Sequence, residues 1–264
     1  RSGQTVSPVI PAILPIAETV GASPAESIAA FIIGCEVASR IVRASPTLSS
    51  VGGWHTTSIV GTIAAAAACA RLLKTPVAAI HDVIGISASM ASGVIVNFGT
   101  KTKPQHSGHA ARNGIVATLL GARGLTASAS ALEGRSGYFN TFAKGLGLSF
   151  DPFNDLGRLY DLAERGYRIK CYPCGGLSHA SIDAALALRD NLGKRLSDIS
   201  SIKVGVTKNA GQRISDQYPS TIENAKFSMP YLIGYTFVHG APMISAFTEE
   251  ALHDDRVKAL AKTV

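Results

Sequence analysis

Cysteine is scarce in this 264-residue chain. The four present, Cys35, Cys69, Cys171 and Cys174, are too few and too unevenly spaced for a disulfide framework. A reducing, cytoplasmic setting is expected. Charge is sparse too, at 16% of residues, and the acids are too few to single out a glycosidase-like carboxylate pair. The 25 lysines and arginines outnumber the 18 acids to give a formal net charge of +7. They form no dense tract, so a small anionic partner is expected and a nucleic acid is not. Apolar runs are interrupted before the roughly 18 residues that a membrane-spanning helix needs, so no membrane partner is expected. Residues 1–5 lead into a stretch broken by Pro8, Pro11 and Pro15, with no useful basic segment or clean cleavage site, and nothing marks export.

Familiar catalytic signatures are missing as well. There is no G-x-S-x-G elbow, no phosphate-binding G-x-x-x-x-G-K and no G-x-G-x-x-G; Gly145-Leu146-Gly147 lacks the preceding strand and the third glycine. Cys171-x-x-Cys174 has no second ligand pair for structural zinc and no βαβ context for thioredoxin-like redox chemistry. These cysteines are expected to pack around a tight turn. Neither a metal nor a cofactor is expected.

What the chain has is helix-patterned, alanine-rich sequence, 46% hydrophobic and long enough to bury a substantial core. Ser23-Pro24-Ala25-Glu26 reads as a capping box opening a helix toward Arg43, and Thr75-Pro76 opens another toward Asn97. Between them, Thr57 to Leu73 is apolar nearly all round and should lie at the centre of a bundle of antiparallel helices. A further helix is expected from about Gly108 to Ala122. Composition shifts near 145–166. Beyond it Ser178 should cap a helix over 179–191, Ile199–Val206 has the partial alternation of a strand, and Met229–His239 and the residues after Thr248 should be helical. The expected architecture is mainly α: an all-helical main domain over 1–165 and a smaller α+β lid over 166–264.

Three clusters place ionisable groups beside a helix start. Gly52-Gly53-Trp54-His55-Thr56-Thr57 offers an imidazole with a pKa near neutrality next to helix N–H groups. Lys101 to Gly114 crowds Lys101, Lys103, His106, His109 and Arg112 together, a density that depresses lysine or histidine pKa values and attracts carboxylates. Tyr167 to His179 brings Lys170, Tyr172 and His179 around the Cys171-x-x-Cys174 turn. Asp183, four residues after His179, is expected as its partner on one helix face.

Together, Trp54-His55-Thr56-Thr57, the stretch Thr102 to Ala111, and Lys170-Cys171-Tyr172-Pro173-Cys174 with His179 to Asp183 closely resemble the MmgE/PrpD family. Leu132-Glu133-Gly134 with Gly137-Tyr138-Phe139, and Glu223 to Ser228, resemble further family signatures in the expected order. The resemblance implies a helical main domain with an α+β lid, a site in the cleft between them, and a homodimer. It puts His55, Lys103 and Lys170 at catalytic positions, with His106, Tyr172 and His179 as substrate-binding groups. It also implies that an Asp- and His-containing segment before the stretch resembled by Ser2 to Val6, and lid strands beyond Val264, lie outside this sequence.

The implied substrate is a small polycarboxylate with an acidic C–H beside a carboxylate. Removing that proton yields an enediolate that fixed cations can stabilise, so Lys103 and Lys170 would hold the charge while His55 moves the proton. The leading expectation is a metal-independent hydro-lyase most like 2-methylcitrate dehydratase. A decarboxylase of the cis-aconitate type or an epimerase of the iminodisuccinate type is the alternative, and a non-catalytic binding module is the alternative of another class.

Overall fold

The computed structural model describes residues 6–49, 51–167, 169–193, 195–211 and 213–264. Residues 1–5, on which the reading of the N-terminal stretch rests, and Arg168 of the third cluster lie outside the described residues. The chain divides into two compact units, Arg1–Val96 with Thr102–Tyr167 and Asn97–Lys101 with Arg168–Val264.

The larger unit is built from α1 (Val9–Val20), α2 (Pro24–Ala44), α3 (Thr56–Leu72), α4 (Val77–Ser89), α5 (Thr102–Gly121), α6 (Tyr138–Ala143) and the single turn α7 (Asp161–Glu164). Local sequence sets the boundaries. At the start of α2 the Ser23 hydroxyl accepts from the Glu26 amide while the Glu26 carboxylate accepts from the Ser23 amide at 2.9 Å, and Pro24 supplies a φ already suited to the first turn. Helix α3 is the axis of the unit, buried on nearly every face. Its neighbours come close because small residues let them. A Cβ on Gly34 of α2 would sit 3.0 Å from the Ala64 carbonyl, and one on Gly114 of α5 would sit 2.6 Å from the Ala65 Cβ. The Thr118 hydroxyl then donates across the seam to the Ala66 carbonyl at 3.1 Å. Helix α4 runs antiparallel to α5, with Val83 against Gly121 and the Asn113 amide donating to the Met90 carbonyl. Consequently α3 and α5 run in the same direction, their N-terminal ends side by side.

Behind α2 lies a buried ionic network. The Arg40 guanidinium, 1% exposed, pairs with Glu36 at 2.6 Å and with Asp155, and donates to the Pro152 and Leu159 carbonyls. The second Glu36 oxygen accepts from the Asp161 amide, and Asp161 takes Ser39 and Arg43. These bonds strap 152–161 onto α2, and every buried charge in the set has an opposite charge within reach.

The smaller unit contains α8 (His179–Leu192), α9 (Lys208–Gly211), α10 (Ile222–Ala225), α11 (Met229–His239), α12 (Glu249–His253) and α13 (Asp255–Ala261). Its core gathers Tyr172, Ile182, Tyr231, Leu232 and Val257 around α11. Gly234 lets α13 approach, since a Cβ there would meet the Val257 carbonyl at 2.8 Å. Residues 97–101 join this unit through Phe98, whose ring lies 5.4 Å from that of Phe227.

The structure is mainly α, and several expectations need correction. The strand over 199–206 does not form. Ile199, Ile202 and Val204 do turn inward onto α8 and α11, which accounts for the alternation, but a strand exists only when a neighbour takes its hydrogen bonds. Among the described residues nothing pairs with 199–206, whose Ile202 amide goes instead to the Thr263 carbonyl, and no strand is present beyond two isolated bridges. The smaller unit is therefore helical with extended connections, without the α+β lid character expected. Helix α4 stops at Ser89, well short of Asn97. Helix α5 begins at Thr102 rather than Gly108, because Pro104 falls in a first turn where its missing N–H costs nothing. Ser178 precedes α8 but its hydroxyl makes no cap; it is fully buried without a partner among the described residues.

Candidate active site

Two groups of side chains carry acid–base capacity, one in each unit. In the larger unit, His55 immediately precedes α3 and His106 lies on the second turn of α5. Because those helices start side by side, the two imidazoles meet, with Nδ1 to Nδ1 at 2.9 Å and both residues buried. The loop before α3 fixes His55 by its backbone, the His55 amide donating to the Gly93 carbonyl at 2.9 Å and the Ile95 amide to the Gly53 carbonyl at 2.8 Å. Gly93 itself has φ +121°. A Cβ there would press on Ser58 at 2.9 Å and on His106 Nδ1 at 3.4 Å, so the wall behind the pair admits no side chain.

That contact constrains protonation. Facing Nδ1 atoms at hydrogen-bond distance hold one proton between them, so a doubly cationic pair, with two opposed N–H groups, is excluded. Burial lowers the pKa of His106 below its ordinary value, and the nearby His109 and Lys103 push it the same way. Lys103, partly buried one turn earlier on α5, shares the face of His106. The result is a proton-sharing pair of imidazoles, a lysine on the same helix face and two helix N-termini, which together favour an anion.

In the smaller unit, Lys170, Tyr172 and His179 surround the turn that leads into α8. The Lys170 ammonium donates to the Cys174 carbonyl at 2.8 Å, and partial desolvation lowers its pKa. The Tyr172 phenol donates to Asp183 at 2.6 Å; that bond, together with burial, pushes the phenol up to about 12 and keeps it neutral. His179 stands edge-to-face with the Tyr172 ring at 5.1 Å, and its Nε2 is buried with no hydrogen-bond partner among the described residues. Burial and Lys170 both lower the His179 pKa, against a smaller opposing effect of Asp183. Asp183 is thus the acceptor for Tyr172 rather than a simple helix-face partner of His179.

Cys171 is exposed and Cys174 buried, both as free thiols, and desolvation pushes the Cys174 thiol up to about 11. A poorly ionised thiol is a poor metal ligand. Among the described residues no three His, Cys, Asp or Glu side chains are grouped to hold a metal ion. No helix of the described residues is long and apolar enough to cross a membrane.

The structure thus unites His55 with His106 and Lys103, and groups Lys170 with Tyr172 and His179. An apolar cavity of about 230 Å³ between α8 and α11, lined by residues such as Leu188, Val204 and Phe237, includes none of the six. Sequence reasoning flagged both histidines of the buried pair without pairing them. It missed Gly93, whose only sequence signal was a glycine inside the helix expected to run toward Asn97.

The motifs that carry the family resemblance occupy this framework in order. Gly137-Tyr138-Phe139 opens α6, and Glu223 to Ser228 forms α10 and the cap of α11, its Lys226 carbonyl accepting from the Gly175 amide at 2.8 Å. Comparison with known proteins agrees. Residues 2–151 match the MmgE/PrpD N-terminal domain and residues 172–264 the MmgE/PrpD C-terminal domain. The chain is 27% identical over 269 residues to a cis-aconitate decarboxylase from Mus musculus, covering 97% of this chain and 54% of that protein. It is 26% identical over 264 residues to the Homo sapiens cis-aconitate decarboxylase, again with 97% and 54% covered. A cis-aconitate decarboxylase from Aspergillus terreus is 27% identical over 267 residues, with 93% of this chain and 54% of that protein covered. The chain spans about half the length of the curated relatives it matches. With both domain matches following the order of the motifs along the fold, this chain belongs to the MmgE/PrpD family.

Proposed function

We propose that the protein is a carboxy-lyase acting on a small unsaturated tricarboxylate of the cis-aconitate type. This replaces the dehydratase as the leading reading, because the relatives it resembles are named as cis-aconitate decarboxylases. The observation that carries the chemistry is the buried His55–His106 pair with Lys103 on the same helix face. When the carboxylate on the methylene carbon leaves as carbon dioxide, its bonding electrons become a new carbon–carbon double bond. The original double bond shifts its electrons to the far carbon, which takes one proton. Negative charge accumulates on the carboxylate next to that carbon, where fixed cations stabilise it.

The pair suits the proton step. An extra proton taken up at an outer nitrogen leaves a monocation held together by the Nδ1 bond, while burial disfavours the charge on the His106 ring. His55 then acts as the acid that protonates the far carbon. Lys103 and Lys170 bind substrate carboxylates, with His106, Tyr172 and His179 completing the binding groups, and no metal or cofactor enters the scheme. A homodimer is part of the reading, testable by sedimentation.

A proton NMR time course with cis-aconitate, 2-methylcitrate and iminodisuccinate separates the outcomes. The reading predicts consumption of cis-aconitate with new vinylidene protons. Water loss from 2-methylcitrate alone would return the dehydratase, inversion of iminodisuccinate alone the epimerase, and no turnover of any would remove all three.

A further inference from the structure

Asp183 has no place in the scheme above, yet it makes one of the shortest polar contacts in the smaller unit, 2.6 Å from the Tyr172 hydroxyl. Asp183 is exposed on α8, Tyr172 is buried beneath it, and the Tyr172 ring meets the His179 imidazole edge-to-face with an interplanar angle of 77°. Asp183 therefore reaches His179 through a ring, even though the two residues lie one turn apart on the same helix. Apart from that ring, the imidazole is held by hydrogen bonds to the backbone of Tyr172 and Cys174, in the same turn. Its Nε2 is buried with no partner among the described residues, and the Ser178 hydroxyl beside it in sequence is likewise unpartnered. An edge-to-face contact depends on where the two rings sit, and a phenol anchored by a carboxylate at its far end holds its ring in place against the imidazole.

We propose that Asp183 is a positioning residue that clamps the Tyr172 phenol and so fixes the orientation of the His179 imidazole presented to substrate. The role rests on the reading of His179 as a substrate-binding group. Its physical core, control of the imidazole by Asp183 through Tyr172, does not need turnover to be observed. The carboxylate also places a negative charge near the imidazole that partly offsets Lys170. Asparagine in place of Asp183 keeps an oxygen for the phenol to donate to but loses the charge, alanine loses both, and Tyr172→Phe keeps the ring while removing the bond.

The test uses protein labelled with ¹³C in its histidine rings, with the His179 signal assigned from His179→Asn. In Asp183→Ala and Tyr172→Phe the His179 ring signal should move as the fixed ring-current shift from Tyr172 averages out. In Asp183→Asn it should keep its position at high pH, where the imidazole is neutral, and titrate at lower pH than in the wild type. With cis-aconitate, Asp183→Ala should lose roughly tenfold or more in kcat/KM, while Asp183→Asn retains most of it. An unmoved His179 signal in both Asp183→Ala and Tyr172→Phe would overturn the clamp. A shifted signal with wild-type kcat/KM would overturn its role toward substrate. Failure of the wild-type protein to turn over cis-aconitate strikes the proposed function, and leaves the NMR comparison to decide the clamp.

Discussion

Gly114→Ala tests how packing creates the histidine pair. A methyl group at this position would lie 2.6 Å from the Ala65 Cβ and 2.7 Å from the Ala66 amide nitrogen, both on the axial helix α3. Comfortable carbon contacts begin at about 3.5 Å, so α5 must retreat from α3 by about 1 Å. Backbone is in the way, and no flexible side chain can yield instead. Overpacking of this kind costs about 1–3 kcal/mol, offset by about 0.5–1 kcal/mol because alanine favours the helix over glycine. The expected net loss is about 1–2 kcal/mol, or a few degrees in Tm for a protein of this size. The larger effect is at the site. A rigid retreat of about 1 Å would stretch the 2.9 Å Nδ1 contact of His55 and His106 beyond hydrogen-bond range, and a misplacement of that size can cost about 10²-fold in rate. Thermal unfolding followed by circular dichroism and steady-state turnover of cis-aconitate measure the two consequences. Gly108→Ala is the control on the same helix. Nothing lies within 4 Å of a Cβ there, so it should be stabilised by about 0.5–1 kcal/mol. If Gly114→Ala is as stable as Gly108→Ala and turns over at the wild-type rate, the reasoning is refuted.

Other predictions follow from the same geometry. His55→Ala, Lys103→Ala and Lys170→Ala should each reduce kcat by roughly 10²-fold or more while circular dichroism shows a folded chain; wild-type rates in all three would refute the assignment. Arg40→Leu should destabilise the larger unit by about 3–5 kcal/mol in urea unfolding, since it leaves Glu36 buried without its partner, and a loss below about 1 kcal/mol would contradict the network described. His106 and His179 have folded pKa values below the ordinary one, so the unfolded chain binds more protons as pH falls through about 6.5. Stability should therefore decline from pH 7.5 to 5.5, with a smaller decline in His106→Gln; a flat urea midpoint across that range would contradict the burial of these groups.

What the sequence made legible was local. The capping box at Ser23 to Glu26 and the apolar stretch Thr57 to Leu73 at the centre of the bundle each depend on residues within a turn or two of one another. What it hid depends on distant partners. Arg40 meets Asp155 and the Pro152 and Leu159 carbonyls more than a hundred residues away, and no periodicity announces that. His55 and His106 were conspicuous one by one, yet their contact follows from Gly114 letting α5 settle on α3, a property of two helices together. The segment 199–206 misled for the same reason. Its alternation reports a half-buried face truly, but pairing is decided by a neighbour that the described residues do not supply. Asp183 was read by its spacing from His179, whereas the phenol of Tyr172, held in the turn before the helix, claimed its carboxylate.

The proton transfer assigned to His55 is tested most directly by one incubation: cis-aconitate with ¹³C in its carboxylates, in deuterated water, with wild-type protein and with His55→Ala. The prediction is labelled carbon dioxide released in step with a product carrying a single solvent deuterium on the carbon next to a carboxylate, at a rate roughly 10²-fold lower for the variant. Carbon dioxide formed equally fast without His55, or none formed by the wild-type protein, would contradict it.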